Sequence, residues 1–367
     1  MRAKVDKPFL ITSLVLVVFG FIIFTSASLG LLARGNINYT SVAFSQTVLG
    51  LFFGTIVAIL AMRSDYKVWR KYAFYILLGA LILNILVTIP EIGSMRGGAR
   101  RWLTLGSFSL QPVEFLKLSM IIYFAAWAGG VKSKIKDFKH GFLPLLILLA
   151  ISTALLFLQK DTDNLAMIVV ALSAMFVSAG GKWRHLLILL IIGVMGLGFL
   201  AVSRPYVMQR ITTYFNPTAD SRGAGYQLQQ SLIAIGSGGF TGRGFGQSVQ
   251  KFGFLPEPVG DSVFAVAAEE FGFLGATLII LLFVLYGTRG LKIASNVKDD
   301  FARLVVVGIV IMITTQAFVN IGAMLGVLPL SGNTLPFISH GGTALFSTLL
   351  GTGIVLSVSR TQKRSNR

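Results

Sequence analysis

The chain has 367 residues, 54% of them hydrophobic and 13% charged, with a mean hydropathy of +0.77. Soluble domains carry roughly a quarter charged residues and disordered chains combine high charge with low hydrophobicity, so neither class fits. The formal charge is +18, there is no cysteine, and His140, His185 and His340 are widely separated; thiolate, iron–sulfur, disulfide and HExxH-type chemistry are excluded.

Apolar runs of membrane-crossing length predict ten spans in chain order, at 9–29, 45–62, 73–89, 112–130, 141–158, 164–180, 185–203, 263–287, 303–328 and 337–358. The first holds Ser26-Ala27-Ser28, which resembles a signal-peptidase site. Its apolar run from Phe9 to Thr25 exceeds the usual 7–15 residues, so a retained anchor is expected. With a cytoplasmic N-terminus, 21 Lys and Arg fall on the inside and ten outside, five of those ten in the long loop 204–262. Short loops govern orientation, so the excess gives a positive-inside topology with both termini cytoplasmic. The expected fold is therefore an all-α integral membrane protein, one polytopic domain over 1–367 with one large extracytoplasmic loop. Its basic excess suits anionic lipid headgroups, and no nucleic-acid partner is expected.

The remaining charged residues need another reason. Arg100-Arg101-Trp102-Leu103, before Leu105, Phe108 and Leu110, reads as a segment lying along the membrane interface. It either anchors the chain there or lets one Arg reach a lipid diphosphate. Glu114 and Lys117, three apart in the fourth span, share a helix face. They are either a self-neutralising pair or a polar wall of a central cavity. The run from Gly236 to Gly246 is dense in glycine, but no strand precedes it and no Gly-Lys-Ser/Thr occurs, so the nucleotide-binding readings fail. What survives is a flexible loop, or a tight one whose N–H groups receive an anion beside Arg243 and Lys251. Adjacent Glu269 and Glu270 cannot share a face; one is expected against a partner helix and one at the headgroups. Asp261 follows the stiff stretch Leu255-Pro256-Glu257-Pro258-Val259-Gly260 and directly precedes the eighth span. That puts a carboxylate at the membrane surface, a suitable place for a general base acting on a lipid-linked substrate.

Taken together, these segments resemble the SEDS family (shape, elongation, division and sporulation), its cell-division branch more than its elongation branch. The likeness covers nearly the whole chain. It rests on Ser26-Ala27-Ser28, Gly98-Ala99-Arg100-Arg101-Trp102-Leu103, and Gln111-Pro112-Val113-Glu114-Phe115-Leu116-Lys117-Leu118. Gly225-Tyr226-Gln227, Gln230 through Gly239, Leu255-Pro256-Glu257, Asp261, Phe264-Ala265, Glu269-Glu270 and Leu335 through Gly342 complete it. The chain departs from the family pattern in three places. Val113 stands in a usual Gln-Pro-Ser-Glu, Val259-Gly260 and Ser262 replace a His-Thr before the aspartate and an aromatic after it, and Gln159-Lys160-Asp161-Thr162-Asp163 replaces Gln-Pro-Asp-Leu-Gly.

The resemblance implies a peptidoglycan glycosyltransferase of the bacterial plasma membrane, at the division septum. It would polymerise lipid II with a class B penicillin-binding transpeptidase and other division proteins. It makes Asp261 the catalytic aspartate and Glu114 and Lys117 a cavity pair. The leaving diphosphate wants fixed positive charge, for which Arg100, Arg101, Arg243, Lys251 and Lys117 are candidates. Hard oxygen ligands also leave room for Mg²⁺ or Mn²⁺, with no dedicated metal ligands assigned. Two other functions fit ten helices with a polar interior: a lipid II flippase and a non-catalytic scaffold for the transpeptidase.

Overall fold

The computed structural model describes residues 5–34, 39–96, 98–105, 108–203, 205–216 and 223–361. Arg204, Asp220 and Arg222, assigned above to the outer loop, lie outside these residues, as do Arg2, Lys4, Lys363, Arg364 and Arg367 in the terminal segments.

Helix starts follow the capping residues. Helix α1 (Lys7–Leu29) opens with Pro8 in its first turn and the Asp6 carboxylate accepting the Phe9 N–H at 3.0 Å. Helix α2 (Tyr39–Arg63) contains a π-type stretch, Ser45–Phe53, and α3 spans Lys67–Leu86. Between α3 and α4 the chain forms a three-stranded antiparallel sheet, β1 (Gly93–Arg96), β2 (Ala99–Leu105) and β3 (Phe108–Leu110). The segment read as lying along the interface is thus a folded hairpin. The sequence does carry its signal: Gly97-Gly98 and Gly106-Ser107 bracket the Thr- and Trp-containing run. Pro112 opens α4 (Pro112–Val131), where a missing N–H costs nothing. Helices α5 (Leu143–Leu158), α6 (Thr162–Ser178) and α7 (Trp183–Ser203) follow.

The long segment after α7 holds two helices, α8 (Pro205–Phe215) and α9 (Ala224–Ser237), before the glycine-rich turn. Then come α10 (Val263–Ser295), α11 (Asp300–Met324) and α12 (Gly342–Ser359). Among the described residues eight helices are long and apolar enough to cross a membrane. The sixth and seventh expected spans correspond to shorter apolar helices, Thr162–Ser178 and Trp183–Gly196.

Helices α4, α11 and α12 form the centre, buried nearly all round, with α11 packed against α4, α6, α10 and α12. Around them α3 lies on α4, α1 on α10 and α2 on α12. The last pair meets closely because Gly353 has no side chain; a Cβ there would lie 2.5 Å from the Ala58 carbonyl oxygen. Peripheral α7 exposes Leu190, Ile191, Val194 and Met195, the surface expected of a helix facing lipid.

Helix α10 breaks at Gly272 (φ 64°, ψ −163°), a backbone conformation open only to glycine. The break takes the Phe273 and Leu274 amides away from the helix and gives them to the Gly239 and Phe240 carbonyls, at 2.9 and 3.2 Å. The freed Glu269 and Glu270 carbonyls accept from Arg243 and Gly244, both at 3.0 Å. The glycine-rich turn is therefore laced to a broken helix, and the glycines permit backbone approach too close for any Cβ.

Candidate active site

Asp261 ends a stiff approach. Glu257 sits at φ 45°, and its carbonyl accepts the Gly260 and Ser262 amides at 3.0 and 3.2 Å. Three successive carbonyls are then pinned from outside. Val259 accepts the His340 N–H at 2.6 Å, Gly260 the Ser339 hydroxyl at 2.7 Å, and Asp261 the Asn320 side-chain amide of α11 at 2.8 Å. Gln227 of α9 donates to the Ser262 hydroxyl at 3.0 Å. Backbone carbonyls do not depend on side-chain identity, so this anchoring does not require particular side chains at Val259 and Gly260.

The Asp261 side chain is partly exposed and reaches a patch formed by Asp163 of α6, Arg210 of α8 and Gly332. Its pKa is pushed up to about 7. Removal from water is the main cause, helped by the negative Glu257 and Asp163 and opposed by Arg210 and Arg101. A carboxyl group with that affinity is a usable base at neutral pH.

Glu114 and Lys117 do pair, Nζ to Oε1 at 2.8 Å, with both side chains buried. Lys117 also donates to Gln316 of α11 at 3.0 Å, and Gln316 donates on to the Thr334 carbonyl at 2.9 Å. One helical turn further along α11, Asn320 bonds the carbonyls of Asn333 and Asp261, each at 2.8 Å. The i, i+4 spacing places Gln316 and Asn320 on one face about 6 Å apart along the axis. That face joins the ion pair to the backbone under Asp261. Gln316 and Asn320 were missed in the sequence because an amide in an apolar span carries no charge signal.

The basic candidates separate. Arg101, in register with inward-facing Ala99 and Leu103, donates to the Gln159 carbonyl at 3.2 Å and to the Lys160 carbonyl, and lies 3.9 Å from Asp161. Arg100 has its Nη1 buried with no hydrogen-bond partner among the described residues. Arg243 leans on Glu269 at 3.5 Å. Lys251 is fully buried, and its ammonium donates to Glu270 (2.7 Å), Ser26 (2.9 Å) and the Gly246 carbonyl (2.9 Å). All three of its protons are used inside the protein, so the reading of Lys251 as a diphosphate ligand is corrected: it fastens the loop to α1 and α10.

The same holds for the expected anion-receiving loop. Within the run the Gly242, Arg243 and Gly244 amides go to the backbone carbonyls of Gly238, Glu269 and Glu270, and both glutamate side chains are buried rather than one at the headgroups. Glu269 accepts the Ser248 hydroxyl and the Val249 and Gln250 amides at 2.5, 3.0 and 3.2 Å, while Glu270 takes the Ser26 hydroxyl at 2.6 Å. The carboxylates are thus bound by the segment just past the glycine run, Ser248 to Gln250, and by Ser26.

The family model described as "Cell cycle protein", which joins FtsW, RodA and SpoVE, matches residues 7–364. The chain belongs to this family. It is similar to stage V sporulation protein E of Bacillus subtilis (strain 168), with 38% identity over 359 residues and 98% of both chains covered. It is equally similar to the probable peptidoglycan glycosyltransferase FtsW of Geobacter metallireducens, with 38% identity over 361 residues, 98% of this chain and 96% of the relative. Among solved structures it superposes on the rod shape determining protein RodA of Thermus thermophilus, with a TM-score of 0.71, 27% identity and 99% of each chain. A chain from a structure of a peptidoglycan synthase complex that coordinates polymerization and crosslinking matches with a TM-score of 0.74 and 26% identity, over 94% of this chain and 97% of that one. The SEDS resemblance drawn from the motifs is thus that of the whole chain.

Proposed function

We propose that this SEDS-family protein is a peptidoglycan glycosyltransferase that polymerises lipid II, with Asp261 as the general base. The observation that carries this is a carboxyl group held on pinned backbone at one end of the bundle with its pKa raised to about 7. The acceptor GlcNAc 4-hydroxyl attacks the anomeric carbon of the donor MurNAc. The new C–O bond forms as the bond to undecaprenyl diphosphate breaks, and the hydroxyl proton passes to Asp261. The donor is α-linked and the product β-1,4, so a single inverting displacement suffices and no covalent sugar–enzyme intermediate is needed. A positioned base of this kind contributes about 10²–10⁴-fold.

Developing charge on the leaving diphosphate calls for fixed cations. Arg100, with an unused buried donor, and Arg101, close enough to act on Asp261, are the better placed of the basic candidates. Arg243 is partly drawn to Glu269, and Lys117 is held by Glu114 and Gln316. We place Glu114 and Lys117 in the cavity wall beneath the reacting sugars. No three His, Asp or Glu side chains form a metal cluster among the described residues, so Mg²⁺ or Mn²⁺ would be held largely by diphosphate oxygens.

The basic-residue asymmetry supports a bacterial plasma-membrane orientation with both termini inside and Asp261 outside, where the lipid II sugars lie. A class B penicillin-binding transpeptidase is the expected partner, with other division proteins at the septum. The test is glycan synthesis by the purified protein with lipid II and its cognate transpeptidase. Wild type should make polymer and Asp261→Asn almost none, while still inserting and binding its partner. Lipid movement between leaflets without polymer would make it a flippase, and partner binding alone would make it a scaffold. Polymer from Asp261→Asn within about tenfold of wild type, well inside the loss expected for a base, would remove Asp261 from the chemistry.

A further inference from the structure

Asp163 is the second residue of α6 and stands where other family members carry the glycine of Gln-Pro-Asp-Leu-Gly. Its carboxylate gathers three elements that are distant in sequence. Arg210 Nη1, from α8, lies 2.8 and 2.9 Å from its two oxygens, and the Gly332 N–H, from the connection between α11 and α12, donates at 2.9 Å. Gly332 has no side chain, and what lies around the missing Cβ is informative. A Cβ there would be 3.3 Å from Asp163 Oδ2, 3.7 Å from Asp261 Oδ2 and 3.8 Å from Arg210 Nη2. Two carboxylates and a guanidinium therefore border one small space.

Resting on the reading of Asp261 as the base, we propose that Asp163 is a positioning residue: it keeps the Arg210 guanidinium on itself and so leaves the Gly332 side of Asp261 open to the acceptor hydroxyl. The electrostatics agree with the geometry. Asp163 pushes the Asp261 pKa up and Arg210 pulls it down; the other charged groups acting on Asp261 are Glu257 from the approach, which raises it, and Arg101 from β2, which lowers it. The two members of the Asp163–Arg210 pair therefore act on the base with opposite sign.

That opposition is the test. The kcat/KM for lipid II is measured against pH for the full-length protein in proteoliposomes with its transpeptidase. Asp163→Asn removes a like charge and releases Arg210 toward Asp261, so the acid limb should move to lower pH by about half a unit or more. Arg210→Gln removes the opposing charge, so the limb should move to higher pH by a similar amount. If Asp163 acted by its charge alone and did not hold Arg210, Asp163→Asn would move the limb as far on the Arg210→Gln background as on wild type, and that result overturns the proposal. An unmoved limb, or movement in the same direction in both, overturns the proposal. Should Asp163→Asn fail to accumulate in the membrane, Arg210→Gln decides alone: a rise supports the proposal, and no shift or a fall overturns it. Wild type that makes no polymer, or an active Asp261→Asn, defeats the reading of the base instead and is seen before either variant is assayed.

Discussion

Replacing Lys251 with Met separates a fastening role from a substrate-binding one. The Lys251 and Glu270 side chains are 0% and 1% exposed, with Nζ 2.7 Å from Oε1. Methionine fills much of the same space but removes the cation and its bonds to Glu270, Ser26 and the Gly246 carbonyl. Glu270 keeps the Ser26 hydroxyl at 2.6 Å and the Ser248 amide at 3.4 Å, which is poor compensation for a buried charge. One-sided disruption of such a pair costs about 3–5 kcal/mol. Whole-protein stabilities are about 5–15 kcal/mol, so the variant should melt several degrees lower. The loss should begin locally: limited proteolysis within 238–251 should accelerate before the bundle unfolds, because this turn depends on Glu269 and Glu270 for its donors. Lys251→Met with Glu270→Leu leaves no unpaired charge and should recover about half or more of the lost stability. The assay is thermal unfolding in lipid nanodiscs, with proteolysis and lipid II kinetics on the same samples. Unchanged melting and cleavage together with a raised KM for lipid II would refute this reasoning and return Lys251 to the diphosphate.

Two further outcomes are expected. The folded pKa of Asp261 is raised to about 7 from an unfolded value near 3.9, so the native state binds the extra proton between those limits and stability falls as pH rises through them. Asp261→Asn should therefore be more thermostable than wild type at pH 8 and nearly equal at pH 4; a larger gain at pH 4 contradicts the shift. Lys117→Met alone strands the buried Glu114 and should cost about 3–5 kcal/mol, whereas adding Glu114→Gln restores folding in a thermal melt. We expect that double variant to remain without polymerase activity; recovered polymerisation would make the pair a structural tie.

Much of this protein is written in local sequence. Apolar length sets the helices, and the spans expected from residues 9, 112 and 164 begin in the structure at Lys7, Pro112 and Thr162. The i, i+3 spacing of Glu114 and Lys117 suffices to pair them, because helix geometry brings such residues together whatever surrounds them. The rigid approach to Asp261 is likewise legible in its prolines. What the sequence left open depends on contacts between residues far apart. Nothing local says that Lys251 meets Ser26 and Glu270, since a lysine in a glycine-rich loop looks the same whether its protons face water or a carboxylate. Gly272 inside an apolar run does not announce a broken helix until the loop it serves lies against it. Asp163 and Arg210 are unremarkable charges 47 residues apart until α6, α8 and Gly332 converge beside Asp261. Periodicity and capping act over one or two turns and can be read from the chain. Burial, desolvation and the sign of a neighbour's charge depend on how the helices pack, and these raise the carboxyl of Asp261 to a pKa at which it can take a proton at neutral pH.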